Sequence, residues 1–140
     1  MKYFTIKEME VSIIADENGI KNKIPPEFIK NYKYLIENIL DNIRGQYGKP
    51  ITVNSGYRCK ELNEAVGGVK TSQHTCFENS AAADITTKDR EENKILFEVA
   101  KRLVSTKQIV VDQLINENNY MWIHIGVKLT GYNRNQIFAQ

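Results

Sequence analysis

Histidine and cysteine are both scarce in this chain, with two of each among 140 residues. Cys59 and Cys76 are too few for a disulfide scaffold and lack the CxxC spacing of a zinc knuckle or redox pair, so both are expected to be buried free thiols. No apolar run approaches the roughly 20 residues that span a bilayer, which argues against an integral membrane segment. The first twenty residues carry Glu8 and Glu10 and no apolar stretch of signal-peptide length. The expectation is synthesis in the cytoplasm without a signal peptide. Lysine and arginine are not gathered into a patch, and a net charge of +2 is too mild to suggest a nucleic-acid partner. Repeats, linkers and low-complexity tracts are also absent. What remains has the length and the 41% hydrophobic content of one ordinary domain, 1–140, expected to be a monomer.

The hydrophobic pattern predicts the elements. Thr5-Ile6-Lys7-Glu8 reads as a capping box opening a short helix. Pro25-Pro26 starts a long helix, in which Phe28, Ile29, Tyr32, Leu35, Ile36, Ile39, Leu40 and Ile43 form one stripe at three- and four-residue steps, ending near Tyr47-Gly48-Lys49-Pro50. Ile51 to Ser55 reads as a strand, Lys60 to Val66 as a short helix stopped by Gly67-Gly68, and Ala82 to Thr86 as a second strand. Asp89 with Glu92 caps a further amphipathic helix carrying Ile95, Leu96, Val99, Ala100, Leu103 and Val104. Ile109 to Ile115 and Met121 to Val127 read as a hairpin around Asn118-Asn119. The order predicts an α+β domain with helices packed on a small, mainly antiparallel sheet.

The two histidines stand in unusual places. His74 lies in a glycine- and serine-containing loop, His124 alternates with Trp122 and Gly126 on an apolar strand, and Asp84 follows three alanines in a predicted buried strand. A carboxylate there is costly unless a positive group meets it. Each residue alone has an ordinary explanation, but two imidazoles, one carboxylate and a free fourth position make the donor set of a catalytic zinc site.

Ser55-Gly56-Tyr57-Arg58, Leu62-Asn63, Val66-Gly67-Gly68, Ser72-Gln73-His74, Ala82-Ala83-Asp84-Ile85, Asp112-Gln113-Leu114-Ile115 and Trp122-Ile123-His124 follow one another in that order. This succession resembles the zinc D-alanyl-D-alanine carboxypeptidase family, the small peptidases of bacteriophages and their hosts, over nearly the whole chain. The resemblance implies the fold shared with the hedgehog signalling domain, one Zn2+ held by His74, Asp84 and His124, and Arg58 binding substrate and polarising the scissile carbonyl. It also implies that Ser72 contacts substrate, and that the substrate is a peptidoglycan stem peptide cut next to a D-amino acid. Such an enzyme, a phage endolysin or a wall-remodelling peptidase, is expected to act on the cell wall after release.

Two positions depart from the family pattern. Nine residues, Thr75 to Ala83, separate the first histidine from the aspartate where six are usual. Met121 stands where the family has the carboxylate that serves as general base. Glu117 and Glu78 are the candidate replacements. A hairpin pairing Gln113 with His124 would place Glu117 four residues along the partner strand, about 14 Å from the metal at roughly 3.4 Å per residue. Glu117 then serves only if the Asn118-Asn119 turn folds back. The alternative function is a zinc-stabilised, catalytically weakened domain that binds peptidoglycan or a protein. Trp122, Tyr57 and Tyr120 are candidates to line a peptide groove, against the commoner role of such aromatics as core.

Overall fold

The computed structural model describes residues 1–140. The capping box forms as read: Thr5 N–H donates to Glu8 Oε1 (3.0 Å) and Glu8 N–H to Thr5 Oγ1 (3.2 Å). It opens a 3₁₀ turn, Lys7–Glu10, followed by the single-turn helix α1 (Ile13–Glu17), whose Ser12 cap accepts from Ala15 N–H. The long helical rod comprises α2 (Ile29–Leu35), a turn of π-helix (Ile36–Leu40) and α3 (Asp41–Tyr47), and ends at Gly48 in the left-handed conformation (φ 80°). Its stripe is buried from Tyr32 to Ile43, whereas Ile29 is exposed. After β1 (Thr52–Ser55) come α4 (Lys60–Ala65), a 3₁₀ turn (Gln73–Thr75), β2 (Ser80–Thr86) and α5 (Arg90–Ser105). Asp89 caps α5 by accepting from Glu92 N–H at 2.8 Å. Leu96, Ala100 and Leu103 of α5 are buried, but Ile95 faces solvent.

Three strands complete the sheet: β3 (Gln113–Glu117), β4 (Trp122–Lys128) and β5 (Gln136–Ala139). The order is β1-β2-β4-β3-β5, antiparallel except that β5 runs parallel to β3. The expected α+β class with a mainly antiparallel sheet is the architecture observed. The fifth strand was not predicted, because its Gln-Ile-Phe-Ala is short and its parallel pairing depends on the partner strand. The third strand is also displaced from the predicted Ile109 to Ile115. Ile109 and Val111 are buried in the approach to it, so their apolar character reflects core burial rather than ladder pairing.

One core of 26 buried residues joins the rod, α5 and the inner sheet face. Tyr57 belongs to it, edge-on to Tyr32 at 6.2 Å, and Tyr120 packs edge-on against Phe97 at 5.9 Å. Tyr57 is mostly core, yet it also lines a surface depression of about 360 Å³ beside Arg58 and Asn63, whereas Tyr120 is structural. Cys76 is buried, and burial pushes its thiol up to about 12. Cys59 is only half-buried, since its sulfur caps α4 by accepting from Leu62 N–H.

Candidate metal centre

Backbone register assembles the site. Asp84 on β2 is the direct partner of His124 on β4, and Ser55 at the end of β1 is the partner of Asp84 across a bulge. Directly opposed residues of antiparallel strands share a face, so Asp84 and His124 project side by side. His74 arrives from the 3₁₀ turn. Its carbonyl accepts from Arg58 N–H at 2.9 Å, and Ser72 Oγ caps the turn by accepting from His74 N–H at 3.2 Å.

The segment Ser55 to Arg58 has a glycine for a local reason. A Cβ on Gly56 would lie 2.6 Å from the Met9 carbonyl oxygen and 2.8 Å from Met9 Cα, where the 3₁₀ turn crosses. That close approach leaves the Gly56 carbonyl aimed at His74 Nδ1, 2.6 Å away. A carbonyl oxygen only accepts, so Nδ1 carries the hydrogen and Nε2 is a bare lone pair.

His74 Nε2 is buried without a hydrogen-bond partner, and Asp84 Oδ1 lies 3.3 Å from it. His124 Nδ1 is 3.0 Å from the same oxygen. The donor atoms of all three residues lie within 4.8 Å of one another. Burial pushes His74 below the usual histidine range in spite of the carboxylate beside it, so the ring is neutral. Burial would raise the Asp84 carboxyl, but the positive charge that His74 or His124 carries when protonated, together with hydrogen bonding from these rings, holds it well below the usual carboxylate range. A neutral imidazole lone pair facing an ionised carboxylate is an arrangement that a cation resolves, and nitrogen–oxygen donor sets of this kind suit zinc. The residues therefore fit a metal.

Arg58 fans across the same face. Its Nη2 is 3.6 Å from Asp84 Oδ2, Nε donates to Ser55 Oγ (3.2 Å) and Nη1 to Asn63 Oδ1 (3.2 Å). Gly68 has room for no side chain here: its Cβ would fall 2.1 Å from Asn63 Oδ1.

The family model for peptidase M15 matches residues 2–126. The chain belongs to the peptidase M15 family. No curated protein matches it. Membership of peptidase M15, together with a His-Asp-His cluster able to hold a metal, makes the chain a metallopeptidase by class. The M15 match stops within β4, so β5 and the segment leading to it lie outside the matched residues.

The general-base candidates separate clearly. Ile115, not Gln113, is the partner of His124, and Glu117 is the partner of Trp122. The predicted register was two residues out, because the third strand begins later than its apolar residues suggested. Glu117 accordingly sits two residues from His124 on the same face, about 7 Å along the strand rather than 14 Å. It shares with Ser72 and His124 a depression of about 210 Å³. No fold-back of the turn is involved: Asn118, Asn119 and Tyr120 all take positive φ and close the hairpin directly. Burial raises the Glu117 carboxyl above its usual value, partly countered by His124.

Glu78 is exposed and precedes Ser80, which starts β2 four residues, roughly 13 Å of strand, before Asp84. The inserted loop is instead tied to α2, where Asn31 Nδ2 and Lys30 Nζ donate to Asn79 Oδ1. Met121 points away to α5, with Arg90 Nη2 3.0 Å from its sulfur.

Proposed function

We propose that the chain is a zinc-dependent peptidase hydrolysing peptidoglycan stem-peptide bonds next to D-amino acids, with His74 Nε2, Asp84 and His124 Nδ1 as ligands. The observation that carries this is the buried, unpartnered Nε2 of His74 converging with an ionised carboxylate and a second imidazole. Zinc bound there supplies Lewis acidity, polarising a carbonyl and acidifying water.

The chain's own residues supply the rest. Arg58 is always charged and is held by Ser55 and Asn63, so its guanidinium needs no rearrangement to meet negative charge developing on the scissile carbonyl oxygen. Glu117, on the face of His124 and with a raised carboxyl, takes a proton from the attacking water and delivers it to the leaving amine. Ser72 and Trp122 border the same face and contact substrate. Glu117 also weighs against the reading of a weakened binding domain, which drew its support from Met121, because it offers a carboxylate from the neighbouring strand.

The setting we infer is that of a phage endolysin or wall-remodelling enzyme, a monomer acting on the wall after release. No helix is long and apolar enough to cross a membrane. The test is mass spectrometry of an intact peptidoglycan digest by wild type, His74→Ala and Glu117→Gln, with zinc content measured in each. New amine termini next to D-residues are expected from wild type alone. A metal-loaded wild type that releases none would exclude the enzyme.

A further inference from the structure

Asp112 and Gln73 form a buried network that the proposed chemistry does not use. Asp112 is fully buried, and its carboxylate accepts from Arg134 Nε (3.0 Å), Arg134 Nη2 (2.7 Å), Arg134 N–H (3.1 Å) and Gln73 Nε2 (2.8 Å). Because Asp112 can only accept, it fixes the orientation of the Gln73 amide: nitrogen toward Asp112, oxygen away. The oxygen is buried and has no partner.

Its location is given by Gly126. A Cβ on that glycine would lie 1.9 Å from Gln73 Oε1 and 3.4 Å from His124 Nε2, so amide oxygen and ring nitrogen flank the same bare Cα. His124 therefore has Asp84 hydrogen-bonded at Nδ1 and the unpartnered Gln73 Oε1 near Nε2, close to that nitrogen but not bonded to it. The first favours a hydrogen on Nδ1, which blocks that nitrogen as a ligand. The second favours a hydrogen on Nε2, which frees it.

We propose that Gln73 is a positioning residue for the metal site: anchored on Asp112, its free Oε1 takes up the His124 Nε2 hydrogen when metal binds and so selects the ring tautomer that leaves Nδ1 free as a ligand. This would give each histidine a protein acceptor behind its metal-facing nitrogen, the Gly56 carbonyl for His74 and the Gln73 amide for His124. It also gives Arg134, beyond the family-matched residues, a task at the centre of the molecule: it neutralises the buried Asp112 that orients the amide. The inference rests on His74, Asp84 and His124 being the metal ligands.

The experiment measures zinc affinity by competition with a chromophoric chelator, alongside the His124 ring resonances in ¹⁵N-labelled zinc-loaded protein. Gln73→Met, similar in volume but unable to accept, should bind zinc about 10- to 100-fold more weakly. Its metal-free unfolding midpoint should stay near wild type, and the His124 Nε2–H proton should lose its hydrogen-bonded shift. The exchange Gln73→Glu with Asp112→Asn keeps an acceptor for His124 and a donor–acceptor pair behind it, and should recover most of the affinity. Equal affinity and an unmoved Nε2–H signal in Gln73→Met overturn the inference alone, as does a double variant no better than Gln73→Met. A wild type that takes up no zinc overturns the metal site and this inference with it.

Discussion

A single residue's place in the register decides whether the proton-transfer role can be filled. Glu117 is the last residue of β3 and faces the same way as His124, so Glu117→Gln should lower peptidoglycan turnover by about 10²- to 10⁴-fold while zinc content is unchanged. Single-turnover rates on a purified stem peptide, with metal analysis, check this. Met121→Asp, by contrast, should leave turnover unchanged, because the side chain lies against Arg90 and an aspartate there would pair with that guanidinium. A gain of activity in this variant would return the base to position 121. Arg58→Lys should lose most turnover with normal zinc uptake. One ammonium cannot meet Ser55, Asn63 and Asp84 together as the planar fork does.

Between elements, the critical joint is the crossing of the Lys7–Glu10 turn over the segment after β1. Tyr57 N–H donates to the Met9 carbonyl at 2.7 Å, and Gly56 fits against the Met9 backbone only without a side chain. Gly56→Ala must push two backbones apart, and that movement shifts the carbonyl which fixes His74. The expected result is a loss of about 1–3 kcal/mol in stability, seen in urea unfolding, together with weaker zinc binding. The sequence announced this joint only as a glycine inside a motif; the clash that explains it comes from a residue 47 positions earlier in the chain. The helices were more legible, since capping and three- to four-residue periodicity are local properties. The Asp89 cap and the Thr5–Glu8 box form as read.

At the scale of the molecule, one buried charge and one metal-binding cluster set the expected response to conditions. The Asp112 carboxyl, which burial would raise, is held down to about 2 by its hydrogen bonds to Arg134 and Gln73. A carboxyl depressed in the fold stabilises it fully above its unfolded value near 3.8 and loses that contribution as pH falls through about 2. The contribution is about 2 kcal/mol at neutral pH. The stability gap between wild type and Asp112→Asn should therefore narrow between about pH 4 and pH 2, which chemical unfolding across that range measures. Zinc binding to the folded chain alone should raise stability by about 2.7 kcal/mol at a hundredfold excess over the dissociation constant. Thermal melts with zinc and with chelator test it, and His74→Ala should abolish the difference.

The sequence by itself determined the long helical stripe, α4 and α5, the Thr5 and Asp89 caps, the α+β class and the three converging side chains, because those depend on local periodicity and on scarce, chemically distinctive residues. It did not determine strand register. Ile109 and Val111 are apolar because they are buried, whether or not they pair, and a two-residue slip preserves which face each side chain occupies while moving it along the strand. Only the tertiary structure therefore brought Glu117 alongside His124. It alone placed β5 beside β3 and set Gln73 between Asp112 and Gly126, since both arrangements join segments far apart in the chain.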